Sequence, residues 1–232
     1  LGIPQSLNKA FIKIKPLEVM TLLLPGTKEE TLSGLALAKI REFCKKIDVL
    51  VVGPGLSQNR STQRLIRKVI SKIEKPLVVD ADGLTALAGE LNIFPAKGPT
   101  ILTPHPGEMA GLLGVDAVQV QKDRKKVAKD FVNRYNVILV LKGHRTIVAE
   151  KHKKLYINKT GNPGMAKAGS GDVLTGIVAA FLAQGLKGFE AAKYAVYLHG
   201  LAGDLAAKEK SQLAMVASDI IEKIPQAIKK CF

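Results

Sequence analysis

The sequence predicts an α/β protein built on a mainly parallel sheet, and three observations point there. Short apolar runs such as residues 48–52 and 137–141 alternate with amphipathic, helix-spaced stretches, the pattern of βαβ units. Glycine- or proline-marked turns directly follow four such runs: Gly53-Pro54-Gly55, Asp80-Ala81-Asp82-Gly83, Thr103-Pro104-His105-Pro106-Gly107 and Lys142-Gly143. The chain has 232 residues, 47% of them apolar, with no internal repeat or low-complexity tract, enough to bury the core of one domain. In open parallel sheets the carboxyl ends of the strands form the ligand edge. The four turns and the loop 158–172 therefore outline one long cleft.

Taken in order, residues 19–24 read as a strand and 33–45 as a helix, with Ser33 a candidate cap. Residues 48–52 (Asp-Val-Leu-Val-Val) form a buried strand that runs into 53–57, and a helix continues to about residue 73. Residues 76–80 are the next buried strand. Residues 100–103 are short and apolar. One helix over 119–135 leads to a strand at 137–141, and residues 146–149 and 155–157 pair as a hairpin. The remainder is helical: 173–184, 188–207 and 217–229.

Charge and composition narrow the function. Lys and Arg exceed Asp and Glu by 15, which suits anionic ligands. The lysines are dispersed over helices without interleaved aromatics to stack on bases, so a solvated basic exterior is expected rather than a nucleic-acid partner. No apolar run approaches ~20 residues, and no secretory signal is present, so no membrane partner is expected. Cys44 and Cys231 make no metal-ligand pattern and fit a reducing compartment, hence an expected cytoplasmic location. The chain begins at Leu1 rather than Met and reads as processed or cut from something longer.

The stretch 158–184 organises the rest. Four glycines and a proline crowd its first part, and an apolar run with helical spacing follows. A helix starting near Asp172 would leave its first N–H groups unpaired and aimed back at the loop. Free amides and a positive helix end make an anion site, and Asp172 stands where a carboxylate reaches a hydroxyl beside a bound phosphate. The plainer alternative is that Asp172 only caps the helix. Asp80 and Asp82 divide evenly between ligand contact and turn formation. His105, stiffened between two prolines, is a candidate substrate contact, while Glu108 supports the following helix start. Lys142-Gly143 is suited to neutralising phosphate, the alternative being an ordinary hairpin turn with an exposed cation. His199 reads as structural and His152 as solvated. Neither a Walker motif nor a Gly-x-Gly-x-x-Gly turn is present.

Five segments occur in order: Gly53-Pro54-Gly55-Leu56, Val79-Asp80-Ala81-Asp82-Gly83-Leu84, Leu102-Thr103-Pro104-His105-Pro106-Gly107-Glu108, Lys142-Gly143, and the run from Asn162-Pro163-Gly164 through Gly169-Ser170-Gly171-Asp172 to Gly176. Together they resemble the ADP- or ATP-dependent NAD(P)H-hydrate dehydratase family, within the ribokinase-like superfamily. The resemblance implies a three-layer α/β/α fold over a single domain, 1–232. It also implies a lyase that removes water from the S-epimer of NAD(P)H hydrate, with ADP or ATP as co-substrate and Mg²⁺ accompanying it. By matching positions, Gly55, His105 and Asp172 would contact the hydrate, and Pro106, Gly107 and Glu108 would extend that site. Lys142, Gly143, His144, Arg145 and Thr146, with Asn162, Gly164, Gly169, Ser170 and Gly171, would surround the nucleotide. Asp172 is the candidate base. Family members carry a further N-terminal strand and Gly-Gly turn that this chain lacks, so the domain is expected to be N-terminally incomplete. An epimerase domain or partner and a homo-oligomer, possibly a tetramer, are also implied. A small-molecule kinase of the same superfamily is the second reading. A non-enzymatic nucleotide- or nucleic-acid-binding protein is the third.

Overall fold

Alternate residues along the strands face opposite ways, and both faces of the sheet are covered. The computed structural model describes residues 1–94 and 98–231. Strands β1 (Gly2–Pro4) and β2 (Leu22–Leu24) form a separate parallel pair. The main sheet is β3 (Leu50–Val52), β4 (Leu77–Val79), β5 (Thr100–Leu102), β6 (Ile138–Leu141), β7 (Ile147–Ala149) and β8 (Tyr156–Ile157), hydrogen-bonded in that order. The first four run parallel, and β7 and β8 each pair antiparallel to their predecessor.

The helices are α1 (Asn8–Phe11), α2 (Ala36–Cys44), α3 (Arg60–Lys72), α4 (Asp82–Leu87), α5 (Pro106–Leu113), α6 (Ala117–Lys122), α7 (Arg124–Arg134), α8 (Ser170–Ala183), α9 (Gly188–Lys210) and α10 (Ala217–Lys229). Leu77, Val79, Leu102, Leu139 and Leu141 point to one side, where Leu65, Ile66, Ile70, Met109 and Phe131 of α3, α5 and α7 meet them. Val78, Ile101, Val140 and Val148 point to the other, against Val173, Ile177 and Val178 of α8 and Ala195 and Leu198 of α9. The result is the expected three layers. Burying each such Leu, Ile or Val contributes about 1.5–3 kcal/mol. Among the described residues no helix is long and apolar enough to cross a membrane.

The hairpin matters for the site. β6 ends on the carboxyl edge of the parallel strands. β7 leaves that edge and β8 returns to it, so the turn 142–146 and the loop after Ile157 open on the same side as the turns after β3, β4 and β5.

Three expectations are corrected. Ser33 is no cap: α2 starts after Leu35 without a side-chain cap, and the Ser33 hydroxyl is buried without a partner. The helix expected over 119–135 is two helices. Asp123, at φ −148° and ψ 74°, breaks the run, and its carboxylate accepts from Lys126 N at 3.0 Å as the cap of α7. The strand expected over 19–24 is confined to Leu22–Leu24, and its partner β1 was not foreseen. Elsewhere the bounds shift by a residue or a few, as helix and strand ends do.

Candidate active site

Helix α8 starts at Ser170. Its N-cap is Gly169, in left-handed conformation at φ 82°, and no side chain caps the helix. The first main-chain i→i−4 bond is Val173 N to Gly169 O, so the amides of Gly171 and Asp172 lack an intrahelical acceptor. Asp172 therefore sits in the first turn and does not cap it, which removes the plainer reading of this residue. Its side chain is exposed on a cavity of about 1250 Å³.

A buried charge cluster lies directly beneath. Lys142, at the end of β6, places Nζ 2.7 Å from Asp80 Oδ1 and 3.7 Å from Glu108 Oε2. Asp80 is 1% exposed, and its other oxygen accepts from Thr175 Oγ1 of α8 at 2.8 Å. A Cβ on Gly171 would stand 3.2 Å from Lys142 Nζ. Glycine there admits the ammonium to the helix N-terminus, adding a full positive charge to the partial charge of the helix end. The sheet ends, α5 and α8 are thus tied together by one network.

His105 is the N-cap of α5. Its Nδ1 accepts from Gly107 N at 3.1 Å and Glu108 N at 3.2 Å, and Glu108 Oε2 accepts from His105 N at 2.7 Å. With Nδ1 accepting, the neutral ring carries its proton on Nε2. That edge is left as a donor beside the cavity, 3.6 Å from Glu108 Oε1. Glu108 is both the capping-box partner and a cavity carboxylate. Asp82 is the first residue of α4 and does not cap it; its carboxylate accepts from Ser57 N at 2.8 Å and joins two loops.

The opposite wall is α9. Asn158 Nδ2 donates to Val196 O at 2.9 Å and Thr160 Oγ1 to Tyr197 O at 2.8 Å. Asn162 is a clamp: Oδ1 accepts from Gly164 N, and Nδ2 donates to Gly203 O and Asp204 Oδ1, each at 3.0 Å. His199 is buried in this wall, with Nε2 3.4 Å from Ser170 Oγ. Burial pulls its pKa down from 6.5 to about 4, with the Lys142 cation acting in the same direction against a hydrogen bond to Ser170. It is a neutral imidazole on the site wall. His199, read from the sequence as structural, is buried in α9 and also lines the cavity. The signal was available in the i, i+3, i+4 spacing of Val196, His199 and Gly200.

Of the residues singled out from sequence, His105, Glu108, Lys142, Gly143, His144, Arg145, Thr146, Asn162, Ser170, Gly171 and Asp172 line this one cavity. Gly55, Pro106, Gly107, Gly164 and Gly169 do not. Gly55 lies in the turn after β3 with open space around it. Pro106 and Gly107 form the first turn of α5 beneath His105. Gly164 is packed against the backbone of Gln212, and Gly169 supports the helix start. Among the described residues no three His, Cys, Asp or Glu side chains are grouped to hold a metal ion.

This fold and a cavity at a bare helix N-terminus define a ribokinase-like α/β protein. The chain belongs to the NAD(P)H-hydrate dehydratase family, whose model matches residues 7–226. It is 45% identical over 222 residues to the bifunctional NAD(P)H-hydrate repair enzyme of Moorella thermoacetica, covering 95% of this chain and 42% of that protein. Against the ADP-dependent (S)-NAD(P)H-hydrate dehydratase of Neisseria meningitidis serogroup B it is 41% identical over 172 residues, 72% of this chain and 58% of that one. The chain thus spans less than two thirds of the length of either relative. Among solved structures, the ADP/ATP-dependent NAD(P)H-hydrate dehydratase of Bacillus subtilis, co-crystallised with ATP/Mg²⁺ and soaked with CoA, superposes with a TM-score of 0.79. The two share 29% identity, over 98% of this chain and 78% of that one.

Proposed function

We propose that this protein dehydrates the S-epimer of NAD(P)H hydrate at the expense of ADP or ATP, returning NAD(P)H. The observation that carries the reading is the unpartnered Asp172 carboxylate in the first turn of α8, facing a cavity of about 1250 Å³. A drug-sized ligand fills ~300–1,000 Å³, so this space suits a dinucleotide and a nucleotide side by side. Hydroxide is a poor leaving group. Asp172 takes the proton of the hydrate hydroxyl as its oxygen attacks the terminal phosphorus of the nucleotide. The bond to the nucleotide's bridging oxygen breaks, and the nucleotide leaves shortened by one phosphate. The ring nitrogen's electron pair then expels phosphate from the phosphorylated carbon, and loss of a proton from the adjacent ring carbon to water restores the carbon–carbon double bond. The Gly171 and Asp172 amides and the helix end receive the charge of the transferring group. Lys142 holds a cation beside them. His105 Nε2–H orients the hydrate.

The donor set fits Mg²⁺ that arrives on the nucleotide, since this ion is held through one or two carboxylates plus substrate phosphates rather than a protein cage. Glu108, on the cavity wall, would be the carboxylate that holds it. Bound there, the ion would neutralise phosphate charge. The same reading places the protein in the cytoplasm as a homo-oligomer working beside an epimerase activity.

Incubation with NADH hydrate and ADP or ATP tests the proposal. Recovery of reduced-nicotinamide absorbance with release of phosphate is expected. Accumulation of a stable phosphorylated alcohol from a vitamin-precursor substrate, with no turnover of the hydrate, would establish the kinase reading instead.

A further inference from the structure

Arg124 is the first residue of α7, placed there by the break at Asp123. Its guanidinium binds main-chain carbonyls rather than a carboxylate: Nη1 donates to His144 O at 2.5 Å, and Nη2 donates to Leu141 O at 2.8 Å and Lys142 O at 3.0 Å. Nε is buried without a partner. Half-burial without a counter-anion draws its pKa below the usual arginine range. A cation kept in this state costs stability, so its placement asks for a function.

The turn it grips is unusual. Gly143 has φ +129° and Arg145 φ +54°. The guanidinium lies against Gly143, where a Cβ would meet Nη2 at 3.2 Å. Thr146 Oγ1 donates to Gly143 O at 3.0 Å and closes the turn. In a planar trans peptide, the N–H points opposite to the C=O of the same unit. Arg124 gathers the carbonyls of Lys142 and His144 on its own side. The N–H groups of Gly143 and Arg145 must then face away from it. Both residues line the large cavity. A fixed positive charge behind the turn and two amides in front of it make a receptor for phosphate oxygens.

We infer that Arg124 is a positioning residue for the nucleotide: it touches no ligand, and it aims the main-chain amides of Gly143 and Arg145 into the cavity by holding the carbonyls behind them. The inference rests on the nucleotide reading of the cavity given above. Arginine is required because one planar fork spans three carbonyls, which a lysine ammonium does not reproduce. The break between α6 and α7 then has a purpose, since a continuous helix would not present Arg124 at a helix start facing this turn.

The experiment measures ADP affinity by calorimetry, and KM for NADH hydrate, in the full chain and in Arg124→Met and Arg124→Lys. Both variants should bind ADP at least about tenfold more weakly, the loss of one charge-assisted bond to phosphate. The KM for hydrate should stay within about twofold in both variants. ADP affinity equal to that of the parent protein in a folded Arg124→Met overturns the inference and leaves the nucleotide reading standing. Full affinity in Arg124→Lys shows that charge alone suffices and overturns it as well. Should Arg124→Met fail to fold, Arg124→Lys decides by the same criterion. No binding of ADP or ATP by the parent protein removes the nucleotide reading and the inference together.

Discussion

Lys142→Met should destabilise the fold markedly, although the residue faces a ligand cavity. The reason is Asp80. Its carboxylate is 1% exposed and has two partners, Lys142 Nζ at 2.7 Å and Thr175 Oγ1 at 2.8 Å. Removing the ammonium leaves a buried anion with one neutral donor. Breaking a buried ion pair from one side costs about 3–5 kcal/mol. The Lys142 side chain is 17% exposed, so cavity water takes up part of its role, and about 3 kcal/mol is the expected loss. Methionine retains most of the aliphatic stem, which keeps the packing term small. Asp80→Asn removes the charge and keeps the shape, so the double variant Asp80→Asn/Lys142→Met should recover about 2 kcal/mol of that loss. Urea unfolding at neutral pH, with constant m, measures each corner of the cycle. A Lys142→Met protein within about 0.5 kcal/mol of the parent would refute the reasoning, as would strictly additive losses in the double variant.

His199 is buried neutral, with a folded pKa of about 4 against 6.5. Its contribution is therefore complete above 6.5 and is lost as pH falls toward 4, about 3 kcal/mol in all; His199→Gln should show a flatter stability profile across that window in urea titrations. Asn162→Ala removes two hydrogen bonds from the loop to α9 and one within the loop, to Gly164 N, and should cost about 1–3 kcal/mol, read as a lower unfolding midpoint. Cys44 is buried, and burial raises its thiol pKa, while Cys231 is exposed. Brief treatment with iodoacetamide should label Cys231 alone by mass spectrometry, and equal labelling of Cys44 would contradict the packing beneath α2.

Much of this architecture could be read before any coordinates. The apolar runs carrying Val78, Ile101 and Val140 are buried on both faces, which keeps them continuous and easy to see. The turns after them announce themselves through Gly53, Gly83, Pro104 and Gly143, because close approach and sharp reversal need those residue types. The place of Asp172 in the first turn of α8 was legible from the glycines before it. What escaped was set by contacts distant in sequence. The partnership of Asp80 with Lys142 spans 62 positions, and no local pattern marks it. The break at Asp123 lies inside a lysine-rich stretch whose helical spacing runs on through it, and the Asp123 cap of α7 is a single residue that this spacing hides. His199 sits in a helix whose buried face is mostly alanine and glycine, and only its spacing with Val196 and Gly200 hinted at the wall it shares with them. Ser33 looked like a cap from its residue type, yet the chain turns there through main-chain bonds and leaves the hydroxyl unused.

The most direct measurement is hydrate turnover by Asp172→Asn, alongside its ADP affinity. The substitution keeps the amides of α8 and the Lys142 cation and removes only the proton acceptor. Nucleotide affinity should stay close to that of the parent protein, and turnover should fall about 10²-fold or more. Turnover equal to that of the parent protein would contradict the role of Asp172 as the base.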